Sequence, residues 1–263
     1  MHIDLSDVSG LPIALDLDSC RAIATGDVHL GELGERRLSH LRGVLADPEA
    51  VTEDRVCYLM YRGVGTRNDL ELLGRHGLRY DITVILPGLV GREFVKTAGH
   101  YHSTAPDGVA YPEIYEVLQG SAAFVFQFDK RNEISGWVQL AEASDRIVIP
   151  PNCGHVTVNI GRGPLVVSDL VAVACTNDYG AFRAAKGAAN YIVEDNGRFA
   201  VEANRRYNDV AVAAVTTGSG WPAALPDGAP LLELFRRKPN AFDWLTAPAS
   251  FEDEIWGAWG IVR

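Results

Sequence analysis

The chain has 263 residues, 47% of them apolar, enough to bury a full core and the size of one large domain rather than two. Its 24 basic and 34 acidic side chains leave a formal charge of −10, which repels phosphate backbones and anionic lipid at long range and argues against nucleic-acid or membrane partners. A small anionic substrate stays compatible, because local donors overrule net charge within a Debye length of roughly 8–10 Å.

Residues 1–75 read as a mixed N-terminal extension packing on the rest of the fold. A helix is expected across Glu35–Leu45, where Leu38, Leu41 and Leu45 recur at helical spacing. From Arg79 to about Val173 the text becomes β-rich: RYDITVIL, GREFVKT, PEIYEVLQG, AAFVFQF, GWVQL, RIVIP, HVTVNIG and PLVVSDLVAV. Short runs at this spacing indicate an all-β sandwich or barrel, placed at residues 76–203. The joints Pro87-Gly88, Pro106-Asp107-Gly108, Gly120-Ser121, Pro150-Pro151 and Gly161-Arg162-Gly163 supply the fixed or positive φ of tight reversals. Residues 204–263 form a C-terminal extension. It holds the linker TTGSGWPAALPDGAP, a short helical candidate LLELFRRK, and an aromatic tail. Phe242, Trp244, Phe251, Trp256 and Trp259 of that tail are expected to dock on the parent fold or on a second subunit.

Cys20, Cys57, Cys153 and Cys175 are widely spaced, form no CxxC pair and sit mostly in apolar surroundings. They read as reduced core thiols, which suggests the cytoplasm. Cys153, two residues before His155, is read as packing rather than as a soft metal ligand. The N-terminal stretch shows no basic segment leading into a long apolar run, and no stretch approaches the ~18–20 apolar residues of a membrane span.

Alternate residues of a strand share a face, so His100 and His102 in GHYHS project together while Tyr101 points away. In the following run Glu113 and Tyr115 share a face and Glu116 takes the other, which selects Glu113 over Glu116 as a partner for the histidines. His155 heads a strand after Pro150-Pro151, with Thr157 and Asn159 on its own side. Three imidazoles and a carboxylate suit one divalent ion, iron, zinc, manganese or nickel, with coordination positions left for water or substrate.

These residues resemble the two conserved motifs of the cupin superfamily. The stretches DITVILPGLVGREFVKTAGHYH, YPEIYEVLQGSAAFVFQ, IPPNCGHVTVNIGRGPLVV and NDYGAFRAAKGAANYIVEDNG resemble, in order, one branch of it, the cupin-type glucose-6-phosphate isomerases. The resemblance covers roughly Tyr80 to Gly197. It implies a mainly β fold, the double-stranded β-helix or jelly-roll barrel, with one divalent metal per subunit and a homodimer. It also implies an aldose-ketose isomerase of glycolysis and gluconeogenesis acting on glucose 6-phosphate and fructose 6-phosphate.

Carried over, the family's metal ligands fall on His100, His102, Glu113 and His155. Its sugar-phosphate contacts fall on Tyr58, Thr83, Thr97, Gly99, Tyr115 and Tyr179, and the catalytic candidates are Glu113, Tyr115 and Tyr179. Thr97 and Gly99 have the opposite strand parity to His100, so a kink near Ala98-Gly99 is required to bring them into one cavity. Three features depart from the family. The loop from His102 to Glu113 is longer, and is expected to cover the cavity mouth or touch a partner subunit. Ala98 stands where a lysine often occurs, and Asn177 replaces the histidine of HDYG. Both replacements bear on phosphate affinity and proton shuttling. The same ligand set serves dioxygen chemistry in other cupins, so a metal-dependent dioxygenase is one alternative and a non-catalytic sugar-binding cupin the other.

Overall fold

The computed structural model describes residues 1–130, 133–207, 210–217 and 227–259. Two antiparallel layers form a jelly-roll barrel. The larger sheet runs Arg146–Ile149, Glu113–Gln119, Leu165–Ala172, Leu78–Ile85, Val56–Arg62, Glu32–Arg37 in spatial order. The facing sheet runs Gly154–Asn159, Ala122–Lys130, Glu133–Ala141, with Ala214–Thr217 added parallel at its edge. Seven of the eight expected runs become continuous strands because β-branched and aromatic side chains alternate between two faces that are both covered. GREFVKT is broken into a short Glu93–Phe94 strand and an isolated bridge between Lys96 and Val158.

The helix expected across Glu35–Leu45 begins later. Glu32–Arg37 is a strand laddered to Val56–Arg62, and only Leu38–Leu41 is α-helical, followed by a 3-10 turn at Arg42–Val44. Leu38, Leu41 and Leu45 are buried as the spacing requires. Pairing to an existing sheet edge outweighs the few tenths of a kcal/mol that separate helix propensities at Glu35 and Arg36.

The larger sheet has two faces with different tasks. Tyr58, Ile85, Tyr115, Val117, Leu165 and Val167 point into the barrel with Phe124 and Phe126 of the opposite layer. Leu59, Ile82, Val84, Ile114, Leu118 and Leu170 point outward into a second core. That core is closed by the N-terminal strands His2–Asp4, Ile13–Asp16 and Arg21–Ala24 and by the C-terminal helix Leu231–Arg237 with the turn Pro239–Leu245. Each fully buried leucine or phenylalanine there contributes roughly 1.5–3 kcal/mol of transfer free energy.

The LLELFRRK segment is helical as its sequence suggests, and the tail docks on the parent fold. Phe242, Trp244 and Trp256 are buried, and the indole N–H of Trp259 donates to the Val148 carbonyl at 3.0 Å. Arg236 fastens this extension to the N-terminal segment by bonding both carboxylate oxygens of Asp69 and the Gly10 carbonyl at 3.0 Å. Most of the expected linker TTGSGWPAALPDGAP lies outside the described residues. All four cysteines are free thiols, and Cys57 and Cys153 are buried. Among the described residues no helix is long and apolar enough to cross a membrane.

Candidate metal and substrate site

His100, His102, Glu113 and His155 meet inside the barrel because three separate pieces of backbone are pinned together. His100 and His155 exchange backbone hydrogen bonds of 3.2 and 3.1 Å, so the two rings leave adjacent extended segments side by side. Tyr101–His102 pairs with Asn177–Asp178, which extends the His100 segment past the barrel rim. Glu113 comes from the opposite layer, in register with Ile149 and Val171. The approach is close: a Cβ at Gly154 would lie 2.6 Å from the Tyr101 ring, so only glycine lets the His155 strand reach its place.

One ligand atom from each of the four lies within 4.8 Å of the others. His100 Nε2 is 3.2 Å from His102 Nε2, and Glu113 Oε2 is 3.4 Å from His102 Nε2 and 3.3 Å from His155 Nε2. The Nδ1–H of His102 donates to the Tyr111 carbonyl at 2.8 Å, a bond that fixes the tautomer and turns Nε2 inward as a lone-pair donor. Glu113 Oε2 and both ring nitrogens of His155 are buried without a hydrogen bond. Such orphaned groups cost about 1–3 kcal/mol each when nothing compensates them. A divalent cation fits the converging nitrogens and carboxylate oxygen. Burial, and then the neighbouring His155 and His102 rings, hold His100 well below the ordinary imidazole value. Burial works against the Glu113 carboxylate, but His102 and His155 keep it well below the usual carboxylate range.

Glu116 takes the other face, as strand parity requires. Its Oε1 accepts from Arg146 Nε at 2.9 Å and its Oε2 from the Leu231 backbone N–H at 2.8 Å, which ties the C-terminal helix to the sheet. Cys153 is packed in the core with its Sγ 3.6 Å from the Gly154 carbonyl.

The cavity above the four ligands is walled by Tyr58, Thr83, Thr97, Tyr115 and Tyr179. The Tyr58 hydroxyl accepts from the Ala98 N–H at 3.3 Å; burial pushes its pKa up to about 12, so it remains a neutral donor. Tyr115 lies 5.9 Å from the His155 ring and Tyr179 lies 5.6 Å from the His100 ring, centroid to centroid. Asn177, standing where the family has histidine, donates to the Tyr179 hydroxyl at 3.3 Å. The kink that parity demands is present. Gly99 has φ of 75°, and a Cβ there would lie 2.6 Å from Phe182 and Val156, so the chain reverses parity at a residue that must be glycine. Gly99 itself is buried behind the wall, which the neighbouring Thr97 and Ala98 line.

The long loop after His102 does not line this cavity. Its Asp107 accepts from the Ala249 N–H at 2.9 Å, so it is anchored to the C-terminal extension of the same chain.

Sequence reasoning passed over Arg79, Asp81 and Asp169, which share the wall. Arg79 Nε bonds both oxygens of Asp81 at 2.8 and 2.9 Å. Asp169 is aligned with Asp81 on one side and Tyr115 on the other. Burial, and then the Glu113 and Asp81 carboxylates, push Asp169 well above the carboxylate range. Arg79 and Asp81 were legible, since they have the parity of Thr83. Asp169 required knowing which strands pair.

The sequence model of the family described as Glucose-6-phosphate isomerase (GPI) matches residues 35–211. Similar proteins include the glucose-6-phosphate isomerases of Thermococcus onnurineus, 30% identical over 74% of this chain and 96% of that one, and of Thermococcus gammatolerans, 32% identical over 66% and 86%. That of Pyrococcus furiosus is 30% identical over 70% of this chain and 92% of its own. Among solved structures, hazelnut (Corylus avellana) vicilin aligns with 48% of this chain and 33% of its own at 13% identity and a TM-score of 0.37. With the family model spanning residues 35–211 and the isomerase relatives from Thermococcus and Pyrococcus, the chain belongs to the glucose-6-phosphate isomerase family, and it is an isomerase.

Proposed function

We propose that the protein interconverts glucose 6-phosphate and fructose 6-phosphate with one divalent ion, iron, manganese, nickel or zinc, held by His100, His102, Glu113 and His155. The observation that carries this reading is the set of buried, hydrogen-bond-free donor atoms on Glu113 and His155, beside a cavity whose wall includes the hydroxyl-bearing Tyr58, Thr83, Thr97, Tyr115 and Tyr179. When bound, such an ion polarises the sugar carbonyl and offsets the negative charge that develops on the oxygens at C1 and C2. The chain's own residues do the rest. Tyr58, Thr83 and Thr97, with the Gly99 backbone behind them, take the phosphate end as uncharged donors. Tyr115 and Tyr179 hydrogen-bond the sugar hydroxyls and orient C1 and C2 beside Glu113. Glu113 serves first as a ligand; in the proton route it also carries the hydrogen between C2 and C1, and in a direct hydride shift it does not. The active unit is a homodimer working in the cytoplasm, in line with its family and its reduced thiols.

The decisive experiment strips the purified protein of metal, reloads it separately with each of the four ions and follows fructose 6-phosphate turnover. Metal-dependent formation of glucose 6-phosphate is expected. Verified loading without turnover, together with oxygen uptake, would replace the isomerase by the dioxygenase reading. Running the reaction in deuterated water separates the two routes, because solvent deuterium enters the product only when Glu113 acts as base.

A further inference from the structure

A second groove abuts the metal cavity. It is lined by Arg36, His40, Arg183 and Lys186, with Ala98 and Tyr179 forming the shared wall between the two spaces, and among the described residues no carboxylate lines it. In a chain of net charge −10 such a cluster needs a reason. The neighbours of Arg36 along its strand are paired in the ordinary way: Glu35 with Arg21 at 2.7 Å and Arg37 with Asp54 at 2.9 Å. Among the described residues, Arg36, Arg183 and Lys186 have no carboxylate partner within ion-pair distance.

Two of the three cations reach residues of the cavity wall. Arg36 stands opposite Tyr58 in the strand ladder, and the Tyr58 hydroxyl in turn receives the Ala98 N–H. Arg183 stacks over the Tyr179 ring with its guanidinium carbon 5.5 Å from the centroid. Lys186 sits just beyond the Gly180–Ala184 helix in a left-handed conformation, φ 60°. Ala98, one of the two residues that both spaces share, carries only a methyl group.

We propose that Arg36, Arg183 and Lys186 supply the countercharge for the substrate's phosphoryl group, approaching it past Ala98. This rests on the sugar-phosphate reading above. It makes the groove a specificity element: a phosphorylated sugar gains charge-assisted contacts that its unphosphorylated counterpart cannot make. It also resolves the conflict between a strongly acidic chain and a dianionic substrate, because the field that matters is local.

The test compares the metal-loaded protein with the double variant Arg183→Ala/Lys186→Asn. Both side chains are exposed, and asparagine tolerates the left-handed backbone at 186, so the fold is retained. Calorimetry is run with inorganic phosphate, fructose 6-phosphate and fructose, alongside kinetics. In the variant the phosphate Kd and the KM for fructose 6-phosphate are expected to rise by about tenfold or more, with kcat within about twofold and fructose binding unchanged. An unchanged phosphate Kd, or an equal loss for fructose and fructose 6-phosphate, would overturn the proposal. The two readings fail separately. Turnover with an unaltered phosphate Kd sinks the groove alone; phosphate binding that the variant loses, in a wild type that turns over no hexose phosphate, supports the groove and sinks the isomerase.

Discussion

The two faces of the larger sheet are built from the same strands and behave as different materials. On the inner face, Tyr58, Arg79, Asp81, Thr83, Glu113, Tyr115 and Asp169 surround a cavity with ionisable and hydroxyl groups, several of them buried. On the outer face, Leu59, Ile82, Val84, Ile114, Leu118 and Leu170 lie in a dry core under the C-terminal helix and the N-terminal strands. A period of two separates the faces residue by residue, so the barrel can accommodate orphaned ligands and clustered carboxylates inside while apolar burial outside offsets their cost. Charge on the outer face acts differently: Glu116 and Arg146 latch the tail to the sheet, with Arg146 also bonded to Asp227 and the Ala229 carbonyl.

The comparison is broken or sharpened by substitutions on each face. His155→Ala, on the inner side, should abolish metal binding and turnover together while leaving the circular dichroism spectrum and melting transition of a folded barrel. Retained stoichiometric metal in that variant would remove His155 from the ligand set. Phe235→Ala, on the outer side, should lower unfolding free energy by about 3–5 kcal/mol in denaturant titration, with metal content per folded molecule unchanged. Loss of metal from folded Phe235→Ala protein would mean that the faces are not independent.

Smaller effects test the latches. Glu116→Gln weakens the bonds to Arg146 and Leu231 and should cost about 1–3 kcal/mol, with metal content and kcat near wild type. A well-folded but metal-free Glu116→Gln protein would overturn the assignment of faces by parity. The smallest effect concerns acid. Burial opposes the Asp69 carboxylate, but Arg236 and Thr66 hold it below its ordinary value. Folded Asp69 therefore binds its proton less readily than unfolded Asp69, so its contribution is present above about pH 4 and is lost as pH falls further. Denaturation midpoints measured down through that window should decline less steeply in Asp69→Asn than in wild type. An identical decline would show that Asp69 carries none of the acid sensitivity.

Much of this was legible before folding. Alternation placed His100 with His102 and Glu113 with Tyr115, and excluded Glu116. The parity conflict at Thr97 demanded a reversal, which Gly99 supplies through its positive φ. The helix expected across Glu35–Leu45 was misplaced because leucine spacing reports which residues are buried, whereas the backbone of Glu32–Arg37 answers to a partner strand.

What the amino-acid order determined by itself is local and periodic: the strands, their faces, the joints between them, and the ligand types offered by HYH, Glu113 and His155. Tertiary structure alone decided which distant segments meet. It set Asp169 beside Asp81, carried Phe242 and Trp244 onto the sheet's outer face and Trp256 and Trp259 against Phe128 and Phe126 of the facing sheet, anchored the His102–Glu113 loop through Asp107, and gathered Arg36, Arg183 and Lys186 into one groove. The physical reason is one of range. Side-chain alternation follows from the covalent chain, while strand order and docking depend on long-range pairing and apolar burial between segments whose sequences carry no mark of one another.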